Sequence, residues 1–412
     1  MMGTNRLDKA EKQKILGFAC LAIAIFLCWK WQLVFLDGCR GKLYTDIPDH
    51  IMWAGQGDYG LWVPMIRVLF RWGRPIGQVL LATCMTANNL LSLFLLAILL
   101  RYLFPKLDRW SCFLAAELSA LVGPWLIPGY QMGLYLDAYN GNCYHNLTLL
   151  FGRTLIPASL VFFLRCWENR GERLNLWDWL GLTVSLLINT GFKPSFAFAF
   201  LPAVAVMLAW DVIRSRGKNF KNDFLIGCAV LPTGIMCIWQ YLMLFTDDLG
   251  ATSALIPTET GELVKDEEAG IAQHFIWGAD LVFLLVMYLR SLLLPFYTLA
   301  LQTKKEESRS RIRIIIAVEA VALLEANLLV ETGFRASHGN FDWGGLAMYP
   351  TVFAVAIGLL LRMLQDADWE KREDRTRCVI GLILLAGHLA VGIFHIFYFG
   401  AGGSYCFFGF GI

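Results

Sequence analysis

The sequence is poor in charged residues, which make up 17% of its 412 positions. Soluble domains average about 25%. Hydrophobic residues make up 57%, and they fall in blocks of roughly 20 residues, the length that crosses a hydrocarbon core of about 30 Å. The short alternating segments of a β-barrel are absent. The composition therefore predicts an all-α polytopic membrane protein, with one transmembrane domain over residues 1–412 and no soluble domain on either side.

The sequence also lacks the signatures of several chemistries. Its eleven cysteines include no Cys-x-x-Cys pair and no Cys/His metal spacing. It has no Walker A pattern, which argues against nucleotide hydrolysis. The charged loops between spans look like solvated topogenic charge, and we expect no nucleic-acid partner. Cys39, Cys143 and Cys406 fall in segments predicted to lie outside, where one disulfide among them is an option.

The apolar blocks give eleven candidate membrane spans. They cover residues 15–36, 76–100, 110–128, 148–164, 177–191, 195–213, 223–246, 273–301, 314–331, 344–361 and 378–399. The first block follows a basic segment and has no small-residue cleavage site after it, so we interpret it as a retained helix. Spans five and six are short and are separated only by TGFKPS, which makes the pair a candidate for a tight hairpin that does not fully cross.

Lysine and arginine residues predict the orientation of the spans, because they are retained on the cytoplasmic side. With the N-terminus inside, 24 of the 35 fall in inner segments and eight in outer ones. We therefore predict a cytoplasmic N-terminus and an external C-terminus. The outer loops are then 37–75, 129–147, 247–272 and 332–343.

The first outer loop places two carboxylates directly after the first span, in the stretch GKLYTDIPDHI. Asp49 follows Pro48 at a natural helix start, so helix capping or loop solvation explains it. Asp46 has no such role, which makes it the better candidate for a catalytic base.

An amphipathic helix is predicted for the rest of this loop, residues 61–74, lying in the membrane interface. Its arginines are interspersed with an apolar side made of Leu61, Met65, Val68 and Leu69. A plain linker helix at the membrane surface explains the pattern equally well.

The second and third outer segments each contribute a cation. Arg153 follows His145 and Asn146 by about two helical turns, and such an arginine either snorkels to the surface or faces a cavity as a phosphate ligand. Lys193 sits beside Pro194, and irregular backbone at membrane depth is tolerated only when it is buried in protein or lines a watery cavity.

The fourth outer segment, ETGFRASHGNFDWGG, is the densest polar cluster predicted on this face. It mixes acids, bases and an amide in one short turn. A solvated loop with turn glycines is the alternative explanation. Its polar members are Glu331, Arg335, His338, Asn340 and Asp342.

Ionisable residues inside the spans need partners, because charge in the bilayer is costly. Arg290 and Glu319 are predicted at depths that differ by roughly 9 Å at 1.5 Å per residue, within reach of two long side chains. We favour a structural ion pair over a proton relay. Glu325 lies in the same span as Glu319.

The predicted outer face thus collects acids, cations and imidazoles on one side of the membrane. An enzyme that transfers a group from a lipid-phosphate donor needs this set. Cations hold the phosphate and stabilise the charge that develops on it as it departs. A carboxylate takes the proton of the acceptor hydroxyl.

The layout resembles the GT-C superfamily of integral-membrane glycosyltransferases. Its members are similar in having an inner N-terminus and an essential aspartate in the first outer loop, followed by interfacial helices, as in YTDIPDHI and then LWVPMIRVLFRW. The strings YHNLTLLFGR, KPSF and ETGFRASHGNFDWG also resemble those of polytopic proteins from bacterial surface-polysaccharide gene clusters.

The resemblance implies a glycosyltransferase of the bacterial plasma membrane, with a polyprenyl-phosphate sugar as donor and inversion at the anomeric carbon. It implies Asp46 as base, with Asp49 as the alternative. The donor-phosphate ligands would be Arg153, Lys193 and Arg335. The substrate-binding residues would be His50, His145, Asn146, Glu331, His338 and Asn340. A divalent metal is an option but is not required.

This chain lacks the soluble outer domain of larger members, which disfavours a protein acceptor and favours a lipid-linked or cell-surface glycan. Two other functions stay open. One is a polysaccharide polymerase or ligase with its site at 331–342. The other is a lipid-carrier flippase or transporter that uses Arg290, Glu319 and Glu325.

Overall fold

The computed structural model describes eight stretches of the chain and a few residues before them. The stretches are 60–125, 146–245, 255–257, 263–265, 270–273, 279–302, 308–332 and 341–400. Residues 15, 17–19, 22–23, 50–51 and 54 are described as well. Most of predicted span one, and the three cysteines considered for a disulfide, lie outside the described residues.

Helices dominate these stretches. They are α1 (Trp62–Leu69), α2 (Arg74–Leu103), α3 (Arg109–Ser119), α4 (Leu147–Arg153), α5 (Ile156–Glu168), α6 (Leu176–Phe192), α7 (Ser195–Arg214), α8 (Phe220–Phe245), α9 (Ala279–Ser291), α10 (Leu293–Leu301), α11 (Arg309–Leu328), α12 (Trp343–Asp366) and α13 (Arg372–Gly400). A 3-10 turn over Phe70–Trp72 follows α1.

Four short strands pair in two antiparallel ladders that the sequence did not predict. They are β1 (Leu255–Pro257), β2 (Leu263–Lys265), β3 (Gly270–Gln273) and β4 (Leu329–Thr332). The first two pair with each other, and β3 pairs with β4 so that Ile271 lies opposite Glu331. The second ladder joins the end of the predicted outer loop 247–272 to residues 329–332, just before the predicted outer loop 332–343.

Six helical segments among the described residues are long and apolar enough to cross a membrane. They are Arg74–Leu103, Leu147–Glu168, Ser195–Arg214, Phe220–Met243, Trp343–Asp366 and Arg372–Phe397. The pair α9 and α10 adds a seventh if the two are counted as one bent span. The chain is therefore a helical protein with several candidate membrane spans; eleven spans and their sidedness stay predictions.

Helix α12 forms the centre of the bundle. Every residue from Trp343 to Leu360 is buried, and 94% of its most apolar window lies inside the protein, against 28% for α2 and for α13. The surrounding helices expose large apolar side chains, such as Phe94 on α2 and Val206 on α7. An apolar outer surface around a buried central helix is what a bilayer as solvent favours.

Predicted span three, 110–128, is wrong in its second half. Helix α3 ends at Ser119, and an irregular stretch follows to Trp125. The apolar composition indicates burial, but Gly123 and Pro124 stop the helix. The backbone N–H of Gly123 donates instead to the His388 carbonyl at 2.9 Å.

Predicted span eight, 273–301, is not one straight helix. Residue 273 ends a strand, and the axis bends by 71° between Leu284–Ser291 and Leu293–Leu301. Pro295 gives the reason, because it has no N–H to offer the Ser291 carbonyl one turn before it.

Predicted spans five and six form α6 and α7 with a short break between them, and the tight hairpin stays a prediction. The break is confined to Lys193 and Pro194, and α7 is long enough to cross. Helix α6 packs mainly on α5 and α8, whereas α7 packs on α8, α11 and α12.

A helix forms within the predicted segment 61–74, and its apolar residues lie on both an inner and an exposed side; its place in the membrane interface stays a prediction. Trp62, Val63 and Ile66 are the buried residues of α1, whereas Leu61 and Val68 are exposed. The buried three follow the i, i+1, i+4 pattern of a helix docked on neighbouring helices, and they pack in one cluster with residues of α2 and α4.

One end of the bundle joins segments that were all predicted to be inner. The Tyr102 hydroxyl of α2 donates to Glu168 of α5 at 2.6 Å. Arg311 of α11 pairs with Glu168 and donates to the Tyr102 carbonyl at 2.8 Å. We call it the inner end, because its loops carry most of the lysines and arginines.

Asp108 caps α3 at the inner end. Its carboxylate accepts the N–H of Trp110 at 2.9 Å and that of Ser111 at 3.1 Å, and it accepts the Ser111 hydroxyl. Partial burial raises the pKa of Asp108, but these hydrogen bonds lower it by more, so its pKa lies below the ordinary value.

Candidate functional site

The opposite end of the bundle brings together four of the outer segments that the sequence singled out. They are the end of the first loop with α1, the last turn of α4, the break between α6 and α7, and the start of α12. We call this meeting point the outer junction. It is held by backbone contacts as much as by side chains.

The carbonyls at the end of α6 are capped from three directions. The Asn189 carbonyl accepts the N–H of Lys193 at 3.0 Å, and the Gly191 carbonyl accepts the N–H of Leu61 at 2.7 Å. The Gln240 side chain of α8 donates to the Thr190 carbonyl at 2.9 Å. Helix ends leave carbonyls without partners, and at this depth in an apolar bundle such groups must be satisfied by protein.

Gly191 permits the close approach of α1 to the end of α6. A Cβ at position 191 would lie 2.5 Å from the Leu61 side chain. A Cβ at Gly60 would lie 2.9 Å from the Gly191 carbonyl oxygen. The junction therefore depends on two small residues that come from distant parts of the sequence.

Lys193 occupies the break itself. Its backbone is extended (φ −155°, ψ 124°), which ends α6 before Pro194 begins the next helix. Its ammonium lies 4.0 Å from the centre of the Trp343 indole ring. The side chain is half-buried and Trp343 is buried. A cation on an aromatic face near the negative end of a helix is favourably placed.

The last turn of α4 lies against the same break. A Cβ at Gly152 would lie 3.3 Å from the Lys193 Cβ, and the Asn189 amide donates to the Gly152 carbonyl. Phe151 stacks on Phe192 with ring centres 5.3 Å apart. Arg153 is the next residue after Gly152 and is half-buried. Two of the three predicted phosphate-binding cations are thus carried on adjoining stretches of backbone.

Asn146 caps α4, a role that the sequence analysis did not assign to it. Its side-chain oxygen accepts the N–H of Leu149 and the Thr148 hydroxyl, both at 2.9 Å. Asn146 is buried. Asn88 of α2 donates to the Leu150 carbonyl at 2.9 Å and fixes the same helix from another side.

The first outer loop is connected to the junction through His50. Its imidazole packs edge-on against the Trp62 ring, with centres 5.0 Å apart, and His50 is buried. Arg67 of α1 donates to the Ala54 carbonyl at 2.6 Å. His50 and Ala54, which follow the predicted base Asp46, therefore contact α1. The N–H of Leu61, just before α1, donates in turn to the Gly191 carbonyl.

The remaining predicted site residues are not placed by the structure. Asp46, Asp49, His145, Arg335, His338 and Asn340 lie outside the described residues. The backbone of Glu331 is in β4. In the described part of the chain, no group of three or more His, Cys, Asp or Glu side chains could hold a metal ion.

A second irregular region lies inside the bundle, where α9 and α10 meet. The Arg290 carbonyl accepts the Trp125 N–H at 3.2 Å, and the Ser291 carbonyl accepts a long hydrogen bond of 3.4 Å from the Tyr349 hydroxyl. Arg290 and Glu319 are 3% and 4% exposed. Their mutual ion pair stays a prediction.

His388 of α13 stabilises this bend. One ring nitrogen, Nδ1, lies 2.6 Å from the Gly123 carbonyl, and the other, Nε2, accepts the Leu294 N–H at 3.4 Å. Nδ1 must therefore carry the proton and donate it to Gly123. Phe353 and Trp125 cover the ring edge-on.

Sequence reasoning missed four residues of these two regions: Asn189, Gln240, Trp343 and His388. The first two are amides inside apolar runs, and a polar residue in such a run marks an internal contact or a site. Trp343 stands at the start of a span, where aromatic residues concentrate. These residues were missed because the search for site residues considered mainly charged side chains in the predicted outer segments.

The outer junction combines a half-buried ammonium, a nearby guanidinium-bearing turn and a backbone fixed by hydrogen bonds. Such a site suits an anionic group, because its cations are held in place before the ligand arrives. Comparison with other proteins adds no assignment. No protein-family model matches the chain, and no curated protein matches it significantly.

Proposed function

We propose that the chain is a membrane glycosyltransferase of the bacterial plasma membrane. It transfers a sugar from a polyprenyl-phosphate-linked donor to a lipid-linked or cell-surface glycan on the outer face. The observation that supports this proposal most is the outer junction, where Lys193 and the turn that carries Arg153 meet the end of the first outer loop. No cofactor is needed for this chemistry, and a divalent metal is compatible with it.

In the proposed reaction, Lys193, Arg153 and Arg335 hold the phosphate of the donor. Asp46, or Asp49 in its place, takes the proton of the acceptor hydroxyl. The hydroxyl oxygen then forms a bond to the anomeric carbon as the bond from that carbon to the phosphate oxygen breaks. Polyprenyl phosphate leaves with the electron pair, and attack from the opposite side inverts the configuration.

The position of Lys193 fits the role of a phosphate ligand. The ammonium can donate hydrogen bonds to phosphate oxygens, and its contact with the Trp343 ring holds it at the break. Its backbone N–H is committed to the end of α6. A held cation loses little conformational entropy when the phosphate binds, which raises affinity for the anion.

The carbohydrate contacts would come from His50, His145, Asn146, Glu331, His338 and Asn340. For His50, the edge-on contact with Trp62 fixes the ring in one orientation. For Asn146, the capping bonds hold its side chain at the start of α4.

The test is transfer activity in isolated membranes supplied with polyprenyl-phosphate hexoses, with the glycolipid products followed by mass spectrometry. We expect Asp46→Asn to abolish transfer at unchanged protein level. Asp368→Asn is the matched control, because that acid is exposed at the inner end. Full activity in both Asp46→Asn and Asp49→Asn would refute the assignment of the base.

A map at side-chain resolution with polyprenyl phosphate bound tests the donor site directly. We expect the phosphate within reach of at least two of Arg153, Lys193 and Arg335. A polyprenyl phosphate bound only at the inner end, with none at the outer junction, would refute the proposal.

A lipid-carrier flippase or transporter is the second candidate, because one observation favours it. Discontinuous helices that bend inside the bilayer often line transport sites, and α9 and α10 bend by 71° beside the buried Arg290 and Glu319. If Glu319→Gln stops function while Asp46→Asn does not, transport is the better reading. A polymerase or ligase site at 331–342 predicts instead that His338→Ala is the most damaging change.

A further inference from the structure

A polar cavity lies at the inner end of the bundle, opposite the outer junction. Its volume is about 420 Å³, and it opens between the ends of α2, α10 and α12 and the start of α13. Helix α12 connects the two regions, since it begins in the outer junction with Trp343 and reaches the cavity at Arg362. The cavity is therefore separate from the proposed transfer site.

Three cations from three different elements line this cavity. Lys106 comes from the turn after α2, Arg362 from α12 and Arg377 from α13. Asp366 and Asp374 line it as well, so the lining carries a formal charge of about +1 at neutral pH.

The two carboxylates already have partners. Asp366 pairs with Arg362, and Asp374 accepts the N–H of Asp368 at 3.2 Å. Lys106 is exposed and makes no polar contact with any residue that the structure describes. Arg377 pairs with Glu373 as Arg362 does with Asp366, so the cavity presents one uncommitted ammonium beside two guanidinium groups that already have carboxylate partners.

The cavity wall is amphipathic. Leu103, Phe104 and Leu359 are buried apolar residues on its inner side, whereas its charged residues lie at the helix ends. A ligand that fits this wall has a charged group, which contacts the helix ends, and a hydrocarbon part, which contacts the apolar residues of the bundle. Basic pockets between the helices on the cytoplasmic side of membrane proteins suit the headgroups of anionic lipids in this way.

We propose that this inner cavity binds the phosphate group of an anionic phospholipid. Lys106 and Arg362 donate to the phosphate oxygens, and Leu103 and Leu359 contact the first part of an acyl chain. Because the bound lipid joins α12 to α2 and α13, it stabilises the inner end of the bundle. This inference does not depend on the proposed transfer reaction.

The test measures lipid retention by native mass spectrometry of the full chain in detergent. Phosphatidylglycerol and phosphatidylcholine are added separately at equal concentration. We expect preferential retention of phosphatidylglycerol, and we expect Lys106→Gln to weaken it about fivefold, the effect of one lysine near an anionic surface. Lys106→Gln leaves the fold intact, because that side chain has no described partner to lose.

Lys371→Gln is the matched control, because Lys371 is exposed at the same end, pairs with Asp368 and does not line the cavity. We expect it to retain phosphatidylglycerol as the wild type does. Equal losses in both variants would show a general surface attraction and overturn the proposal. Equal retention of the two lipids would overturn it too. If an excess of inorganic phosphate displaces the lipid from the wild type but not from Lys106→Gln, the ligand is a soluble phosphate and the lipid assignment is wrong.

Discussion

Replacing Lys193 with methionine separates the two roles that its position allows. Methionine has a stem of similar length, so it can still lie on the Trp343 ring that the ammonium now contacts at 4.0 Å. The change removes the charge together with the three N–H donors of the ammonium. If Lys193 is a ligand of the donor phosphate, binding falls and the fold stays; if it is a structural cation, stability falls.

The structure limits the loss of stability. A cation–π contact contributes about 0.5–1 kcal/mol when exposed and about 2 kcal/mol when desolvated. The side chain of Lys193 is half-buried, so its contact belongs between these values. Removing the charge also removes the cost of desolvating it. We therefore expect a net change in the free energy of unfolding of about 1 kcal/mol or less.

The loss of binding should be larger. A hydrogen bond to a charged group contributes about 1.5–3 kcal/mol. Since 1.4 kcal/mol is a tenfold change in affinity, we expect Lys193→Met to weaken polyprenyl phosphate binding about ten- to a hundredfold. Lys193→Arg keeps the charge and the stacking on indole, so it should retain more affinity than methionine.

The measurement is titration of the purified chain in nanodiscs with polyprenyl phosphate, beside a thermal unfolding curve of each variant. Arg71→Gln is the control, because Arg71 is an exposed cation next to α1 and outside the junction contacts. Wild-type affinity in Lys193→Met would remove Lys193 from the proposed site. Equal weakening in Arg71→Gln would indicate attraction of the lipid phosphate by the surface as a whole.

Three further changes test the fold by thermal unfolding in detergent. Gly392→Ala should destabilise the chain by about 3 kcal/mol, because its Cβ would overlap the Leu121 carbonyl oxygen. Gly227 has open space around it, so Gly227→Ala is the control and should be neutral or slightly stabilising. Equal unfolding midpoints of the two variants would contradict the packing around Gly392. Gln240→Leu should lower the free energy of unfolding by about 1–3 kcal/mol, because it removes the donor to the Thr190 carbonyl at the end of α6. An unchanged midpoint of unfolding would mean that this carbonyl finds another partner. Asp108→Ala should cost about 1 kcal/mol at neutral pH. The pKa of Asp108 is depressed in the folded state, so its contribution is present above the unfolded pKa of about 3.9 and is lost as pH falls through the lower folded value; a difference between wild type and variant that persists in acid would contradict the capping role.

The long helices could be predicted from the sequence because hydrophobic runs identify them directly. The span predicted at 223–246 is the helix Phe220–Phe245, and the one at 344–361 lies inside Trp343–Asp366. Runs of apolar residues do not, however, say where backbone hydrogen bonds go. The stretch after Ser119 is mostly apolar but not helical, and the N–H groups of Gly123 and Trp125 bond to α13 and to the end of α9.

Half of the outer junction could be predicted in the same way. Lys193 was singled out because charge beside a proline in an apolar run needs a reason. Its neighbours come from distant positions, and no local pattern links Leu61, Gln240 or Trp343 to it. The sequence also could not show which side of α1 packs inward, because apolar residues occur on several sides of it, and the buried ones are those that meet α2 and α4.

The two breaks in the bundle differ in how a ligand could reach them, and this difference bears on the choice between transfer and transport. At the first break Lys193 is half-buried, and the loops around it belong to the predicted outer face. At the second break His388 is 0% exposed and Arg290 is 3% exposed. Among the residues that the structure describes, the first break thus leaves part of the Lys193 side chain exposed, whereas the second is enclosed by helices.

The second break requires helix movement before a ligand can enter. The Arg290 carbonyl accepts the Trp125 N–H, and the Ser291 carbonyl accepts the Tyr349 hydroxyl. The Leu294 N–H donates to His388. A transport cycle would have to break these bonds, and each buried group left without a partner costs about 1–3 kcal/mol. With three such bonds, opening costs several kcal/mol unless the cargo replaces them. If the proposed transfer at the outer junction is correct, the α9–α10 bend has a structural role, and Glu319→Gln is expected to leave transfer intact.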